Sequence, residues 1–147
     1  MQFDRRASAG YMANWAARLF ARAIDKRLKA IGVSSGQLPV FFALGGGQTL
    51  SQKALTEVAA IEQPTMAATL SRMERDGLIA RRPDPDDRRS SLVALTPEAM
   101  VKAAAVREAT AEVNALALSH LGEEQRRAFL DALATVVETL DRADRTG

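Results

Sequence analysis

Apolar residues in the N-terminal part of the chain recur with the period of an amphipathic helix. Between residues 8 and 31 most apolar positions have an apolar partner about three or four residues further on, which places them on one helix face. These positions are Met12, Trp15, Ala16, Leu19, Phe20, Ala23, Ile24, Leu28 and Ile31. Gly32 follows them and suits the end of a helix. The pattern predicts a long first helix.

Three shorter helices are predicted next from their caps and breaks. The first contains the apolar run VFFAL and ends at the triple glycine 45–47. The second begins after Ser51, whose hydroxyl suits the N-cap position. The third spans residues 64–76, with proline in its first turn and Gly77 at its C-terminal cap. A connection of about four residues joins the last two helices, which therefore match a helix-turn-helix.

A hairpin is predicted after the helix-turn-helix. The segments LIARR (78–82) and SLVALT (91–96) are short, apolar and partly β-branched, as in strands. Between them lies RRPDPDDRRS (81–90), which we expect to form a long loop stiffened by its prolines. Thr96 can then cap a further helix, because Pro97 fits the first helical position.

The last part of the chain is predicted to be helical. An alanine-rich helix should end near His120, and after Gly122 the final helix has an apolar face. That face contains Phe129, Leu130, Leu133, Val137 and Leu140. The predicted order is α-α-α-α-β-β-α-α, a mainly α fold with a small β-hairpin. Long amphipathic helices at both ends have more apolar surface than the compact middle can cover, which favours their packing on each other and on a second subunit.

Composition excludes several classes of site. The chain has 147 residues, 47% of them apolar, which is enough for one domain with a hydrophobic core. It contains no cysteine and one histidine, so we expect no disulfide, no metal cluster, no cofactor and no catalytic triad, and we predict that it is not an enzyme. No stretch approaches the ~20 apolar residues of a membrane span, and we expect a soluble cytoplasmic protein. The net charge is only +2, so an argument for a polyanionic partner must depend on where the charges lie.

The helix predicted at 64–76 has two distinct stripes. Its apolar stripe contains Met66, Leu70 and Met73. The other stripe is small and polar and contains Thr65, Ala68, Thr69 and Arg72, with Gln63 just before the helix. Short side chains would let the helix lie deep in a DNA major groove, whereas the simpler interpretation is a solvated face. Its place as the second helix of a helix-turn-helix favours recognition.

The charged hairpin segment offers a second candidate contact with DNA. In an extended strand Asp87 and Arg89 would face one way and Arg88 the other. A carboxylate beside a guanidinium can hold it in one rotamer, which would lower the entropy lost when the arginine enters a narrow minor groove. The alternative is a solvated charged hairpin, since exposed ion pairs contribute only ~0 to 1 kcal/mol.

Aromatic residues form a weaker candidate site for a small ligand. Tyr11, Trp15 and Phe42 could line a cleft for an aromatic ligand, with Arg18 as the partner of an anionic group. Aromatic residues at these spacings more often belong to the core or to a dimer interface.

The hairpin carries a resemblance to a known family. The run GLIARRPDPDDRRSSLVALTPE resembles the wing of the multiple antibiotic resistance regulator (MarR) family, in which D-x-R is followed by five residues and then L-T. Asp87, Arg89, Leu95 and Thr96 meet this pattern. Upstream, LSQKALTEVAAIEQPTMAATLSRMERDGL is similar to the family's winged helix-turn-helix. The predicted order of elements agrees with the family from about residue 9 to residue 143.

The resemblance implies one MarR-like domain over 1–147. It implies a winged helix-turn-helix at 34–96 and a helical dimerisation region at 8–33 and 97–143. Such a protein would be a homodimeric transcriptional regulator, commonly a repressor, that binds double-stranded DNA at a pseudo-palindromic operator. A small, often aromatic and anionic ligand would release it.

The resemblance also implies roles for the candidate contacts. The helix at 64–76 would enter the major groove and Arg89 the flanking minor groove. Members that sense oxidants through cysteine are not models for this chain, since it has no thiol. The alternative function is a winged-helix module that contacts protein instead of DNA.

Overall fold

The computed structural model describes residues 2–147, which form six α-helices and a 3-stranded sheet. In chain order the elements are α1 (Ala9–Leu28), α2 (Leu38–Leu44), β1 (Leu50–Ser51), α3 (Gln52–Ala59), α4 (Gln63–Arg75), β2 (Ile79–Asp84), β3 (Asp87–Leu95), α5 (Pro97–Ala117) and α6 (Glu123–Thr146). The mainly α fold with a small hairpin is confirmed. Strand β1 was not predicted, because two residues are too few for an alternating pattern to show.

Strand β1 attaches the helix-turn-helix to the hairpin. Leu50 pairs with Val93 and Ser51 with Leu92, so β3 lies at the centre of the antiparallel sheet. Ser51 also caps α3 as predicted, since its Oγ accepts a hydrogen bond of 3.1 Å from the backbone N–H of Ala54. The first turn of α3 is therefore held directly against the sheet.

The hairpin strands extend further toward the tip than the sequence predicted. Only a turn at residues 85–86 joins β2 to β3, so the prediction of a long loop is wrong. Pro83 pairs with Ser91, whereas Asp84 pairs with Asp87. The residues between Asp87 and Ser91 therefore have no partner on β2, and the strand is irregular at its most exposed point.

The chain divides into two compact units, one up to Val113 and the other Asn114–Gly147. The core of the first unit combines the end of α1, helices α2 to α4, the sheet and the part of α5 up to Val113. Its largest fully buried side chains are Leu28, Val40, Leu44, Leu55, Met66, Leu70, Met73, Leu78 and Val93. Most of α1 contributes little to this core, because Tyr11, Met12 and Leu19 are exposed. The predicted apolar face of the first helix is therefore only partly covered.

The second unit contains the end of α5 and the whole of α6. No residue of α6 is buried. Its exposed apolar side chains are Phe129, Leu130, Leu133, Val136, Val137 and Leu140. The apolar face predicted for the last helix is thus present and open in the single chain.

Candidate nucleic-acid interface

Helix α4 is the second helix of the helix-turn-helix, and its buried side determines which residues face outward. Met66, Leu70 and Met73 lie in the core of the first unit, each with an exposure of 1% or less. The predicted contacts that are exposed are Gln63, Thr65, Ala68 and Arg72. This outward surface has short side chains with a basic group toward its end. It can approach base edges in a groove about 12 Å wide without a bulky residue holding the backbone away.

Thr69 is the exception among the predicted α4 contacts. It is 7% exposed. It lies roughly 60° around the helix from Met66, close enough to be covered by the same core. The prediction that Thr69 belongs to the outer face is therefore wrong, because the core covers most of the residue.

Two further polar side chains of α4 face outward and were missed from the sequence. Ser71 and Arg75 are both exposed. The guanidinium of Arg75 lies beside the carboxylate of Asp76, with 3.2 Å between Nε and Oδ1. Counting the helical phase from Met66, Leu70 and Met73 would have placed both residues opposite the core.

The tip of the wing exposes two arginines on a backbone shaped by aspartates. Oδ1 of Asp87 accepts a hydrogen bond from the backbone N–H of Arg89 at 2.9 Å, and Asp84 accepts one from Asp86 at the same distance. Arg88 and Arg89 are exposed. Neither forms an ion pair within the part of the chain that the structure describes. The predicted contact between the Asp87 carboxylate and the Arg89 guanidinium is therefore replaced by one between that carboxylate and the backbone.

The base of the wing is joined to α4 and α5 through one hydroxyl group. Oγ1 of Thr96 donates a hydrogen bond of 2.6 Å to the backbone carbonyl of Gly77, just after α4. The same oxygen accepts a bond of 3.2 Å from the backbone N–H of Ala99, which confirms the predicted cap of α5. Gly77 adopts a left-handed conformation with φ of +75°, as its predicted place after the helix requires.

The four residues predicted as a ligand site are not all brought together. Tyr11 and Trp15 are in edge-to-face contact, with ring centroids 6.3 Å apart, and the Arg5 guanidinium lies 4.5 Å from the Trp15 ring centroid. Arg18 lies along an exposed basic row of α1, and Phe42 lies on α2 with 71% of its surface exposed. The single chain therefore assembles the aromatic pair but not the complete predicted set.

A small cavity between α2 and α5 is a better-defined concave site. Its volume is about 130 Å³. Phe41, Phe42, Gly45 and Gly46 line it from α2 and the turn that follows. Arg107 and Thr110 line it from α5 and add a charge and a hydroxyl group to an otherwise apolar wall. Of the predicted ligand residues only Phe42 reaches this cavity, and Arg107 was missed because nothing in the local sequence distinguishes it from other helix-surface arginines.

Neither a metal site nor a membrane span is found in residues 2–147. No group of three or more histidine, aspartate or glutamate residues there could hold a metal ion. None of the helices is long and apolar enough to cross a membrane.

Comparison with known proteins identifies the family of this chain. The model for the MarR family matches residues 31–90. The chain is 30% identical over 116 residues to the HTH-type transcriptional regulator YwoH of Bacillus subtilis, which covers 79% of this chain and 84% of YwoH.

Solved structures agree with this assignment. The PcaV transcriptional regulator of Streptomyces coelicolor, solved with its natural ligand, has a TM-score of 0.85 at 25% identity, over 94% of this chain and 97% of PcaV. The MepR–DNA complex of S. aureus shares the fold with a TM-score of 0.82 at 21% identity, over 90% of this chain and 98% of MepR. YwoH and PcaV are transcriptional regulators rather than enzymes. The chain belongs to the MarR family of winged helix-turn-helix transcriptional regulators.

Proposed function

We propose that this protein is a sequence-specific repressor that binds a pseudo-palindromic operator in double-stranded DNA as a homodimer. The observation that carries the proposal is the outward face of α4, where Thr65, Ala68 and Arg72 are exposed on a helix whose opposite side is locked in the core. This arrangement fits the recognition helix of a helix-turn-helix, which reads base edges from the major groove. The MepR–DNA complex supports it by showing a protein of the same fold on DNA.

The wing supplies the second contact of each subunit with DNA. Arg89 enters the minor groove beside the site read by α4, and Arg88 neutralises a phosphate. Arginine suits a narrow minor groove, because the negative potential is enhanced there. Both guanidinium groups are exposed and lie outside the ion pairs of residues 2–147, so DNA would not have to displace an acidic partner.

The dimer is supported by the open apolar face of α6. A helix of 24 residues with no buried side chain needs another surface to cover its apolar stripe. A second copy of the chain supplies that surface in a two-fold dimer. Two recognition helices then meet DNA at half-sites centred about 10 bp apart.

Release by a small molecule is the proposed regulatory step. The cavity between α2 and α5 has aromatic walls and the guanidinium of Arg107, which suit an aromatic anion. PcaV, solved with its natural ligand, shows that a protein similar to this chain binds a small molecule. A ligand held between α2 and α5 would alter the separation of the two winged helix-turn-helix regions of the dimer. The two recognition helices could then no longer bind the operator at the same time. A ligand site formed by Tyr11, Trp15, Arg18 and Phe42 stays a prediction. Location in the cytoplasm also stays a prediction.

Selection from random DNA by the purified protein tests the proposal, because the operator sequence need not be known. The protein is mixed with a pool of duplexes with a random central segment, and the bound duplexes are amplified and sequenced over several rounds. We expect an inverted repeat with half-site centres about 10 bp apart. The affinity for this duplex should fall steeply with salt, because each neutralised phosphate releases counterions. A pool that shows no enrichment and no gel shift at low salt would instead favour a protein-contacting module.

A further inference from the structure

One arginine side chain connects the three parts of the candidate interface. Arg81 lies on β2, opposite Val93 of β3. Its Nη1 donates a hydrogen bond of 2.8 Å to Oε1 of Gln52 at the start of α3. Its Nε donates to Oε1 of Glu74 near the end of α4, at 3.4 Å. A single guanidinium therefore bridges the wing, the first helix of the helix-turn-helix and the recognition helix.

The surroundings of Arg81 favour a structural link over a direct contact with DNA. Its side chain is 24% exposed, whereas its neighbour on the same strand, Arg82, is exposed and has no part in the ion pairs of residues 2–147. Successive side chains of a strand point to opposite faces, so the two arginines are directed differently. The guanidinium is a rigid planar fork, and two acceptors on different elements hold it in one orientation.

The two bonds of Arg81 are unequal. The bond to Gln52 is short and joins partly buried groups, while the contact with Glu74 is long and the Glu74 side chain is 49% exposed. Solvent weakens exposed ion pairs, whereas hydrogen bonds shielded from water are stronger. The link from β2 to α3 is therefore the stronger one, and Gln52 is the partner whose removal should matter more.

We propose that Arg81 is a positioning residue for DNA recognition, an inference that rests on the proposed function. Arg81 sets the angle between the wing and the α3–α4 pair. With that angle held, binding of α4 in the major groove places Arg89 at the minor groove. Arg89 then meets the minor groove at a high effective concentration, because α4 is already bound nearby. This advantage is lost when Arg81 no longer fixes the angle between the wing and the α3–α4 pair.

A double-mutant cycle between Arg81 and Arg89 tests this role, because the two side chains share no hydrogen bond or ion pair. Affinities for the duplex selected by the unmodified protein are measured for Arg81→Ala, Arg89→Ala and the double variant. We expect Arg81→Ala to weaken binding about 3- to 30-fold. In the Arg81→Ala background, the further change Arg89→Ala should reduce the affinity for the duplex much less than it does in the unmodified protein. Arg82→Ala is the matched control, since it removes the same charge from the same strand and its effect should combine additively with Arg89→Ala.

The dependence of affinity on salt separates positioning from a phosphate contact. If Arg81 only positions other groups, the slope of log affinity against log salt is unchanged in Arg81→Ala. A slope reduced by about 1, or an additive cycle, would overturn the proposal. If Arg81→Ala melts below the assay temperature, Gln52→Ala removes the 2.8 Å bond alone and the same cycle is run with it. A protein that binds no selected duplex overturns the proposed function before any variant is compared.

Discussion

The carboxylate of Asp87 holds the backbone of Arg89, with 2.9 Å between Oδ1 and the amide nitrogen. The contact is a local turn of the kind in which an aspartate side chain bonds a main-chain N–H two residues further on. It shapes the chain at the wing tip and leaves the Arg89 guanidinium open to another partner. The acid therefore orients the arginine through the main chain and not by direct pairing.

Asp87 variants test whether shape or charge governs the wing. Asp87→Asn keeps an oxygen acceptor for the Arg89 amide and removes the negative charge, so it should bind operator at least as tightly as the unmodified protein. Asp87→Ala removes the acceptor as well and should weaken binding by about 0.5 to 1.5 kcal/mol. Gel-shift affinities at one salt concentration measure both. Tighter binding by Asp87→Ala would mean that charge balance alone controls the loop.

Arg89→Ala should weaken operator binding by about 1 to 3 kcal/mol and leave thermal stability nearly unchanged, because the side chain is exposed. It should also relax the preference for A·T pairs in the flanks, since a narrow minor groove attracts arginine. Arg88→Ala is the matched control: it should weaken binding to all sequences alike and reduce the salt slope by about 1. Equal flank preferences in the two variants would contradict the assignment of Arg89 to the minor groove.

Local chemistry made much of this fold predictable. Ser51, Thr96 and Gly77 mark helix ends through side-chain oxygens or a left-handed backbone, and these signals act over a few residues. The core stripe of α4 follows from the helical period alone.

What the sequence did not reveal depends on contacts between distant segments. The pairing of Leu50 with Val93 joins residues far apart in the chain, and so does the bond from Arg81 to Gln52. Thr69 was misplaced because it sits at the edge of the buried side of α4, where the depth of the surrounding core decides exposure. The wing was mispredicted as a loop because proline and aspartate usually end strands, whereas an irregular strand end accommodates them here.

The apolar stripe of α6 indicates which substitution should break the proposed dimer. Leu133→Lys puts a charge on the apolar face and should weaken association by about 3 to 5 kcal/mol, because the buried lysine would have no partner. Thr135→Lys is the control, since residue 135 lies on the opposite side of the helix. Sedimentation velocity at micromolar concentration should show monomers for the first variant and dimers for the second. A Leu133→Lys variant that stays dimeric would show that α6 is not the interface.

The hydroxyl of Thr96 should matter for stability more than its methyl group. Thr96→Val keeps the size of the side chain but removes the hydroxyl that donates to the Gly77 carbonyl and accepts from the backbone N–H of Ala99. It should lower the free energy of unfolding by about 1 to 3 kcal/mol. Thr96→Ser keeps both bonds and should cost less than about 1 kcal/mol. Urea titration monitored by circular dichroism measures the difference. Equal losses in both variants would assign the effect to packing.

Two left-handed residues flanking α4 predict effects of opposite sign. Ala60, in the turn of the helix-turn-helix, has φ of 53°, while Gly77 has φ of +75°. A side chain in this region costs about 1 to 2 kcal/mol, so Ala60→Gly removes strain that exceeds the entropy glycine adds to the unfolded chain. We expect Ala60→Gly to raise the free energy of unfolding by about 0.5 kcal/mol.

Gly77→Ala should lower the free energy of unfolding by about 1 kcal/mol through backbone strain. A Cβ there would meet its nearest atom, Oε2 of Glu98, at an ordinary 3.7 Å, so crowding adds little to the cost. Urea titrations of both variants show whether the free energy of unfolding rises in Ala60→Gly and falls in Gly77→Ala. Destabilisation by Ala60→Gly would mean that the turn between α3 and α4 gains more from a stiff residue than it loses to strain.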